Sequence, residues 1–367
     1  MRIAYLFNSS MPSANPGSIQ VANTCDAIVD LSNDVRVILP NTGLKVSILK
    51  YYNLKNELKI TRLKYFDKFP LGFNYYLFSL FSVFYGIIKR YDLFITRNFF
   101  SFYILNLLKK KVIFEIHHDL STEGRIVRFL FNNFNIFNSK NVVKIVAITK
   151  PVKNYLIKEF KVDKKKIEII PSASSLKIKF KKIFNKKSYN IGYFGSLDIS
   201  KGSEFIIKLS KIDKKNKYFI YGGSSKDSEI LKKKSNSSNL RINKAIRYSQ
   251  VKYFISKMDI LLMPADKNLL RSLGGVGNIA KYTSPLKLFD YLASGKLIFA
   301  SNLNVFKEVI KHNKNCIVID NLNPLEWLNV INRNTKNLKK ANFLKKNAFE
   351  LSKKYTYHKR AEKVLKL

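Results

Sequence analysis

The chain has 367 residues, with 67 Lys and Arg against 25 Asp and Glu, a formal net charge of +42, and 46% hydrophobic residues. That apolar fraction excludes a wholly disordered chain, and the length suits two domains, each able to bury a core without a metal or disulfide staple. The positive field attracts polyanions, but the excess is spread over both halves and no nucleic-acid-binding motif accompanies it.

Met1–Leu6 reads as the start of a strand rather than a signal peptide, because its apolar run is short and no small-residue cleavage site follows. In the first half the candidate strands are Arg2–Phe7, Val35–Leu39, Lys45–Leu49, Asp92–Thr96, Val112–Ile116, Val142–Ile148 and Ile167–Ile170. Apolar residues at helical spacing fill the gaps, as in Ile19–Leu31 and Pro151–Phe160. Lys45–Phe69 interleaves Lys50, Lys55, Lys59, Arg62, Lys64 and Lys68 with Tyr51, Tyr52, Tyr65, Phe66 and Phe69, a mixture suited to an anionic membrane surface. Leu71–Ile88 is uncharged and near the lower length limit for a bilayer span. Asn74, Ser79 and Ser82 interrupt it, and a buried helix between two strands is the expected structure.

The boundary between halves is expected near Pro171–Lys187, where a strand ends in proline and a lysine-rich stretch follows. Strands then resume at Asn190–Phe194, Tyr218–Tyr221, Leu240–Ile242, Asp259–Met263, Leu297–Ala300 and Cys316–Ile319. Strand and helix alternate throughout, which predicts an α/β protein with two doubly wound parallel sheets. Cys25 and Cys316 lie far apart, and neither they nor the four histidines have metal-ligand spacing.

Two stretches of the second half carry chemistry. Tyr193-Phe194-Gly195-Ser196-Leu197 closes a strand, and Lys201-Gly202 follows just before a helix. Gly195 permits close backbone approach, and Lys201 offers a point charge to a phosphate. In Lys281–Phe299, Ser284 is a good helix N-cap, Pro285 suits the first helical position, and Gly295 ends the helix. Gly274-Gly275-Val276-Gly277-Asn278 precedes it. A helix start fed by such a loop is an anion site, and Asp290, one turn on, can accept hydrogen bonds from ribose hydroxyls.

With these motifs in place, the chain resembles the GT-B glycosyltransferases of family 4, retaining enzymes that use nucleotide sugars. The resemblance runs from the opening strand and the loop to Gln20, through Gly195 with Lys201-Gly202, Tyr221-Gly222-Gly223, Asp259–Pro264 and Ser284–Gly295, to a closing helix at Tyr355–Leu365. It implies two Rossmann-like domains facing across a cleft: an acceptor domain, 1–172, and a nucleotide-sugar domain, 173–350. Residues 351–367 would fold back on the first domain. It further implies that Lys201 binds the donor diphosphate and is catalytic. Gly17, Gly195, Ser196, Gly223, Ser284, Pro285 and Leu286 would line the donor site, and Asp290 would bind the ribose. Arg97, His117, His118 and Tyr282 would face the sugar or acceptor. Adjacent strand residues point to opposite faces, so one of His117 and His118 can enter the cleft, and the resemblance favours His117, also as a catalytic group. Departures from the family are Ser196 for Arg, Tyr282 for the first Glu of a pair, and Asp290 for the second; Lys287 is a candidate to replace the missing cation.

The implied activity is retaining, metal-independent transfer of a sugar from a nucleoside-diphosphate donor, with no cofactor, to a glycan or lipid-linked acceptor in surface polysaccharide or lipopolysaccharide synthesis. A cytoplasmic protein is expected, with an anionic membrane surface on the inner face of the cell membrane as candidate partner and no nucleic-acid partner. Alternatives are a non-catalytic member of a glycan-synthesis complex and a nucleotide-sugar epimerase of the same fold.

Overall fold

The computed structural model describes residues 1–41, 46–66, 71–271 and 277–366. The chain divides into two compact units, Met1–Ser172 with Tyr357–Leu367, and Ala173–Thr356. Leu351–Thr356 thus belong to the second unit, where Ser174 and Thr356 pair as a short parallel bridge.

The first unit alternates β1 (Arg2–Leu6), α1 (Pro16–Asp30), β2 (Asp34–Pro40), α2 (Ile48–Tyr52), β3 (Lys59–Leu63), α3 (Leu71–Ile88) and β4 (Leu93–Thr96). It continues with α4 (Phe99–Leu107), β5 (Val112–Ile116), α5 (Arg125–Asn133), β6 (Val142–Ala147), α6 (Lys150–Phe160) and β7 (Ile167–Ile169). All seven strands are parallel, in the order β3-β2-β1-β4-β5-β6-β7. β4 and β5 are buried along their whole length, as expected of strands covered by helices on both faces. Phe99, Phe102, Phe114, Phe131 and Phe137 interlock beside them; the Phe102 and Phe114 rings stack at 4.3 Å.

The second unit contains β8 (Asn190–Phe194), α7 (Ser203–Ile212), β9 (Lys217–Tyr221), α8 (Ser225–Lys233), β10 (Leu240–Asn243), α9 (Tyr248–Ser256) and β11 (Ile260–Met263). α10 (Leu286–Ser294), β12 (Leu297–Ser301), β13 (Ile317–Ile319), α11 (Pro324–Lys336) and α12 (Leu338–Ser352) complete it. Its six parallel strands run β10-β9-β8-β11-β12-β13. Trp327 is fully buried against Phe205 in its core. The last helix, α13 (Tyr357–Leu365), returns to the first unit and packs on α1.

Three expectations differ from the structure. Residues 48–49 of the expected strand Lys45–Leu49 begin α2 instead, whose start is capped by Ser47 Oγ accepting from the Lys50 amide at 3.3 Å. The strand beside β2 is β3, whose half-exposed Lys-Ile-Thr-Arg-Leu pattern suits a sheet edge. Leu71–Ile88 forms the expected helix but is not buried on all sides. Asn74, Ser79 and Ser82 point inward and are hydrogen-bonded, while Phe73, Phe81, Phe84 and Ile88 are exposed. Among the described residues, no helix is long and apolar enough to cross a membrane. At the third, Pro285 is the N-cap of α10 and Ser284 lies just outside it; the helix ends at Gly295 in the left-handed region. Lys45, Lys68, Phe69 and the run Gly274-Gly275-Val276 lie outside the described residues.

Candidate functional site

In each sheet the strand order reverses between two neighbours, β1 and β4 in the first unit and β8 and β11 in the second. Ligands of doubly wound folds bind beyond the carboxyl ends of the strands at such points. Gly17 and Arg97 follow β1 and β4, and Gly195, Ser196 and Lys201 follow β8.

In the second unit, β8 delivers Gly195 and Ser196. Gly222, at the end of β9, passes so close that a Cβ there would lie 1.6 Å from the Gly195 carbonyl oxygen, so only glycine fits. The turn carrying Lys201 is built by Asp198, whose Oδ1 accepts from the Ser200 amide at 2.9 Å. Gly202 closes it at φ +79°. Ser200 also binds the loop after β11: its carbonyl accepts from the Asp266 amide and its hydroxyl oxygen from the Arg271 amide. Lys201 is therefore presented on a braced turn.

Lys287, in the first turn of α10, reaches the same place. Its Nζ lies 4.5 Å from the centre of the Tyr193 ring and would be 3.5 Å from a Cβ on Gly195. The Tyr193 hydroxyl donates to the Ser196 carbonyl at 2.8 Å, which fixes the ring. Burial, reinforced by the nearby charge of Lys201, pushes the Lys287 ammonium down to about 7. Burial also lowers Lys201, with Asp198 opposing. Among the described residues no carboxylate pairs with Lys287, and Ser196 Oγ is buried with no hydrogen-bond partner. Two converging cations, an unmatched hydroxyl and the free amides of a helix start form a site for a multivalent anion. Lys287, the candidate for the cation absent at Ser196, thus lies beside Gly195.

Asp290 is buried on the inner face of α10. Its Oδ1 accepts from Ser174 Oγ at 2.6 Å and from the Tyr248 hydroxyl at 3.1 Å. Burial pushes its carboxyl up to about 7 despite these bonds. Tyr282 is buried, with Lys281 over its ring at 5.6 Å. Gly223, at φ +64°, leads into the capping box of α8.

In the first unit, Gly17 opens α1 and its amide donates to the Asn15 side chain at 2.9 Å. Arg97, after β4, donates to the Gly17 carbonyl at 3.5 Å and places its Nε 3.7 Å from Glu115. The two histidines part company. His117 Nε2 lies 2.5 Å from Glu115 Oε1. His118 Nδ1 lies 2.8 Å from the Asp119 carbonyl and its ring packs on Phe99. Burial, with Arg97 adding to it, pushes the His117 imidazolium down to about 3. Burial alone would raise Glu115, but Arg360, the His117 hydrogen bond and Arg97 together hold it well below the usual range.

Two sequence models match adjoining parts of this chain: "Glycosyltransferase Family 4" over residues 17–174 and "Glycosyl transferases group 1" over residues 174–351. This protein is a family 4 glycosyltransferase of GT-B fold. An uncharacterised glycosyltransferase of Methanocaldococcus jannaschii is 26% identical over 338 residues, 81% of this chain and 79% of the relative. Sucrose-phosphate synthase of Thermosynechococcus elongatus superposes with a TM-score of 0.74 at 15% identity, covering 99% of this glycosyltransferase and 96% of that chain. Anabaena Alr3699/HepE, solved with UDP-glucose, gives a TM-score of 0.69 at 14% identity over 99% and 98% of the two chains. The lipopolysaccharide outer core galactosyltransferase WaaB gives 0.67 at 13% identity over 100% and 99%.

Glu115, Arg360, Gln20, Ser174 and Tyr248 escaped the sequence reading. For Glu115 a signal was available: it is the one charged residue in the apolar strand Val-Ile-Phe-Glu-Ile, two positions before His117.

Proposed function

We propose that this glycosyltransferase moves a sugar from a nucleoside diphosphate to a surface-glycan or lipid-linked acceptor, with retention at the anomeric carbon and without a metal. The observation that carries this reading is the approach of Lys201 and Lys287, two partly buried cations of which neither forms an ion pair with a carboxylate among the described residues, Asp198 acting on Lys201 only at longer range. A diphosphate supplies the missing negative charge. As the anomeric bond breaks, charge grows on the leaving phosphate, and fixed cations and helix amides stabilise it without reorganising. The acceptor hydroxyl attacks from the same face and passes its proton to the departing phosphate. Asp290 is assigned to the ribose through its second oxygen, Oδ1 being engaged by Ser174 and Tyr248. Arg97 and His117 take the sugar and acceptor roles that the family resemblance implies.

The exposed side of α3 supports a membrane-bound acceptor. Phe81 and Phe84 are nearly half exposed, Ile88 is 75% exposed, and Lys89 and Arg90 follow at once. Glu123, two residues before α5, accepts from the Tyr75 hydroxyl of α3 at 3.2 Å, and α5 presents Ile126 and Phe129 beside Arg125 and Arg128. Apolar side chains flanked by cations suit an anionic bilayer surface.

A panel of nucleotide sugars, assayed by calorimetry and by release of nucleoside diphosphate, tests the activity. Binding is expected for at least one donor. Lys201→Ala and Lys287→Ala should each slow transfer about 100-fold, or about 3 kcal/mol of barrier. Full activity in both variants would refute the assigned roles.

A further inference from the structure

The chemistry assigned to His117 depends on which ring nitrogen carries the proton, and the first unit contains a device that fixes it. Glu115 is only 2% exposed and collects four partners. Gln20 Nε2 of α1 donates to its Oε1 at 2.8 Å, and His117 Nε2 lies 2.5 Å from that same atom. Arg97 Nε is 3.7 Å away. From α13, Arg360 places its Nη2 2.8 Å from Oε2. Arg360 is itself 3% exposed, and its Nε donates to the Pro171 carbonyl at 3.2 Å. Ser172, next in the chain, donates its hydroxyl to Gln20 Oε1 at 3.0 Å. Tyr5 of β1 and Cys25 of α1 also act on this carboxylate, and burial keeps both neutral by raising them.

An ionised carboxylate can only accept hydrogen bonds. A neutral imidazole has one N–H. The short contact therefore requires the proton on Nε2 and leaves Nδ1 as a bare acceptor. A carboxylate this deeply buried needs a cation in contact, and Arg360 at 2.8 Å stands closer than Arg97 at 3.7 Å, so the ionised state of Glu115 rests chiefly on Arg360. We propose that Arg360 of the closing helix is a positioning residue, which by holding Glu115 ionised locks His117 as a neutral Nε2–H tautomer whose Nδ1 accepts a hydrogen bond from a sugar or acceptor hydroxyl. The sugar role of His117 rests on the function proposed above; the lock itself does not. In consequence His117 works by accepting a hydrogen bond and never as a general acid from Nδ1.

Nitrogen-15 NMR of the full chain, labelled at its four histidines, tests the lock directly between pH 5 and 8. The wild type should show His117 neutral throughout, protonated at Nε2 alone. Arg360→Met removes the cation in direct contact with Glu115, so the carboxyl should take up a proton and donate it to Nε2, and His117 should then give signal from the neutral Nδ1–H form. Arg360→Lys keeps the charge and should restore the wild-type signature. Glu115→Gln should release the tautomer, giving signal from the Nδ1–H form. If Arg360→Met fails to fold, the double change with Glu115→Gln, which removes both buried charges, should fold and show the released tautomer. A His117 signal unmoved by Glu115→Gln, alone or in the double variant, overturns the proposal. In transfer assays, Arg360→Met should lower kcat tenfold or more with donor KM unchanged, and its pH profile should acquire the ionisation of the released Glu115 carboxyl. Normal transfer by His117→Ala beside the expected spectra would reject the sugar role and leave the lock standing.

Discussion

Lys287 has the most consequential ionisation in the second unit. Its ordinary value of 10.5 falls to about 7 in the folded protein, first because it is buried and then because Lys201 repels it. Between these values the unfolded chain holds more protons than the folded one, so this group's contribution to stability rises with pH across that window. Donor binding should work in the opposite direction. A diphosphate favours the charged ammonium, so the complex takes up a proton at neutral and mildly alkaline pH, and affinity falls as pH climbs above 7. Calorimetry in buffers of different ionisation enthalpy measures the uptake. It should vanish in Lys287→Ala, whereas equal uptake in that variant would assign it elsewhere. Not all of this was readable beforehand. Gly195, Lys201 and Asp290 are each commonplace alone, and they stood out because their motifs together resemble those of the family. Ser174 and Tyr248 did not, because their value lies in meeting Asp290 across 116 and 42 residues of chain.

At the scale of elements, most strands were legible because a parallel sheet covered on both faces demands continuous β-branched runs. β3 was the exception. An edge strand exposes one side, so Lys59 and Arg62 broke the apolar signal that revealed β2 and β4. α3 was legible as a helix, but not its orientation. Its three polar residues satisfy one another and their neighbours inside, which leaves the phenylalanines outside. Such a face should have a measurable partner. Sedimentation with vesicles containing phosphatidylglycerol should recover the wild type, and Phe81→Ser with Phe84→Ser should weaken association tenfold or more, as expected from losing two partly buried aromatic side chains. Vesicles of phosphatidylcholine alone should bind much less. Equal binding to both lipids, or no effect of the double change, would remove α3 from the membrane reading.

For the molecule as a whole, the first unit is assembled from both ends of the sequence. Its last piece, α13, brings Arg360 to a carboxylate at its centre. A chain lacking residues 357–367 should therefore lose about 3–5 kcal/mol from the first unit, the usual effect of stranding one member of a buried pair. Urea titration followed by hydrogen exchange of β5 would measure the loss. Adding Glu115→Gln to the shortened chain should recover part of it, and no recovery would mean that packing of α13 on α1, rather than charge, sets the cost. Sequence reading reached the closing helix by resemblance, yet Arg360 passed as one more cation among 67 basic residues.

This arrangement also constrains the order of synthesis. The ribosome emits β1 to β7 first, then the entire second unit, and only afterwards the helix that neutralises the centre of the first. Until that segment clears the exit tunnel, the nascent N-terminal lobe waits half-finished, open to chaperones and proteases. A stalled or prematurely stopped chain would carry this defect even with every strand already made.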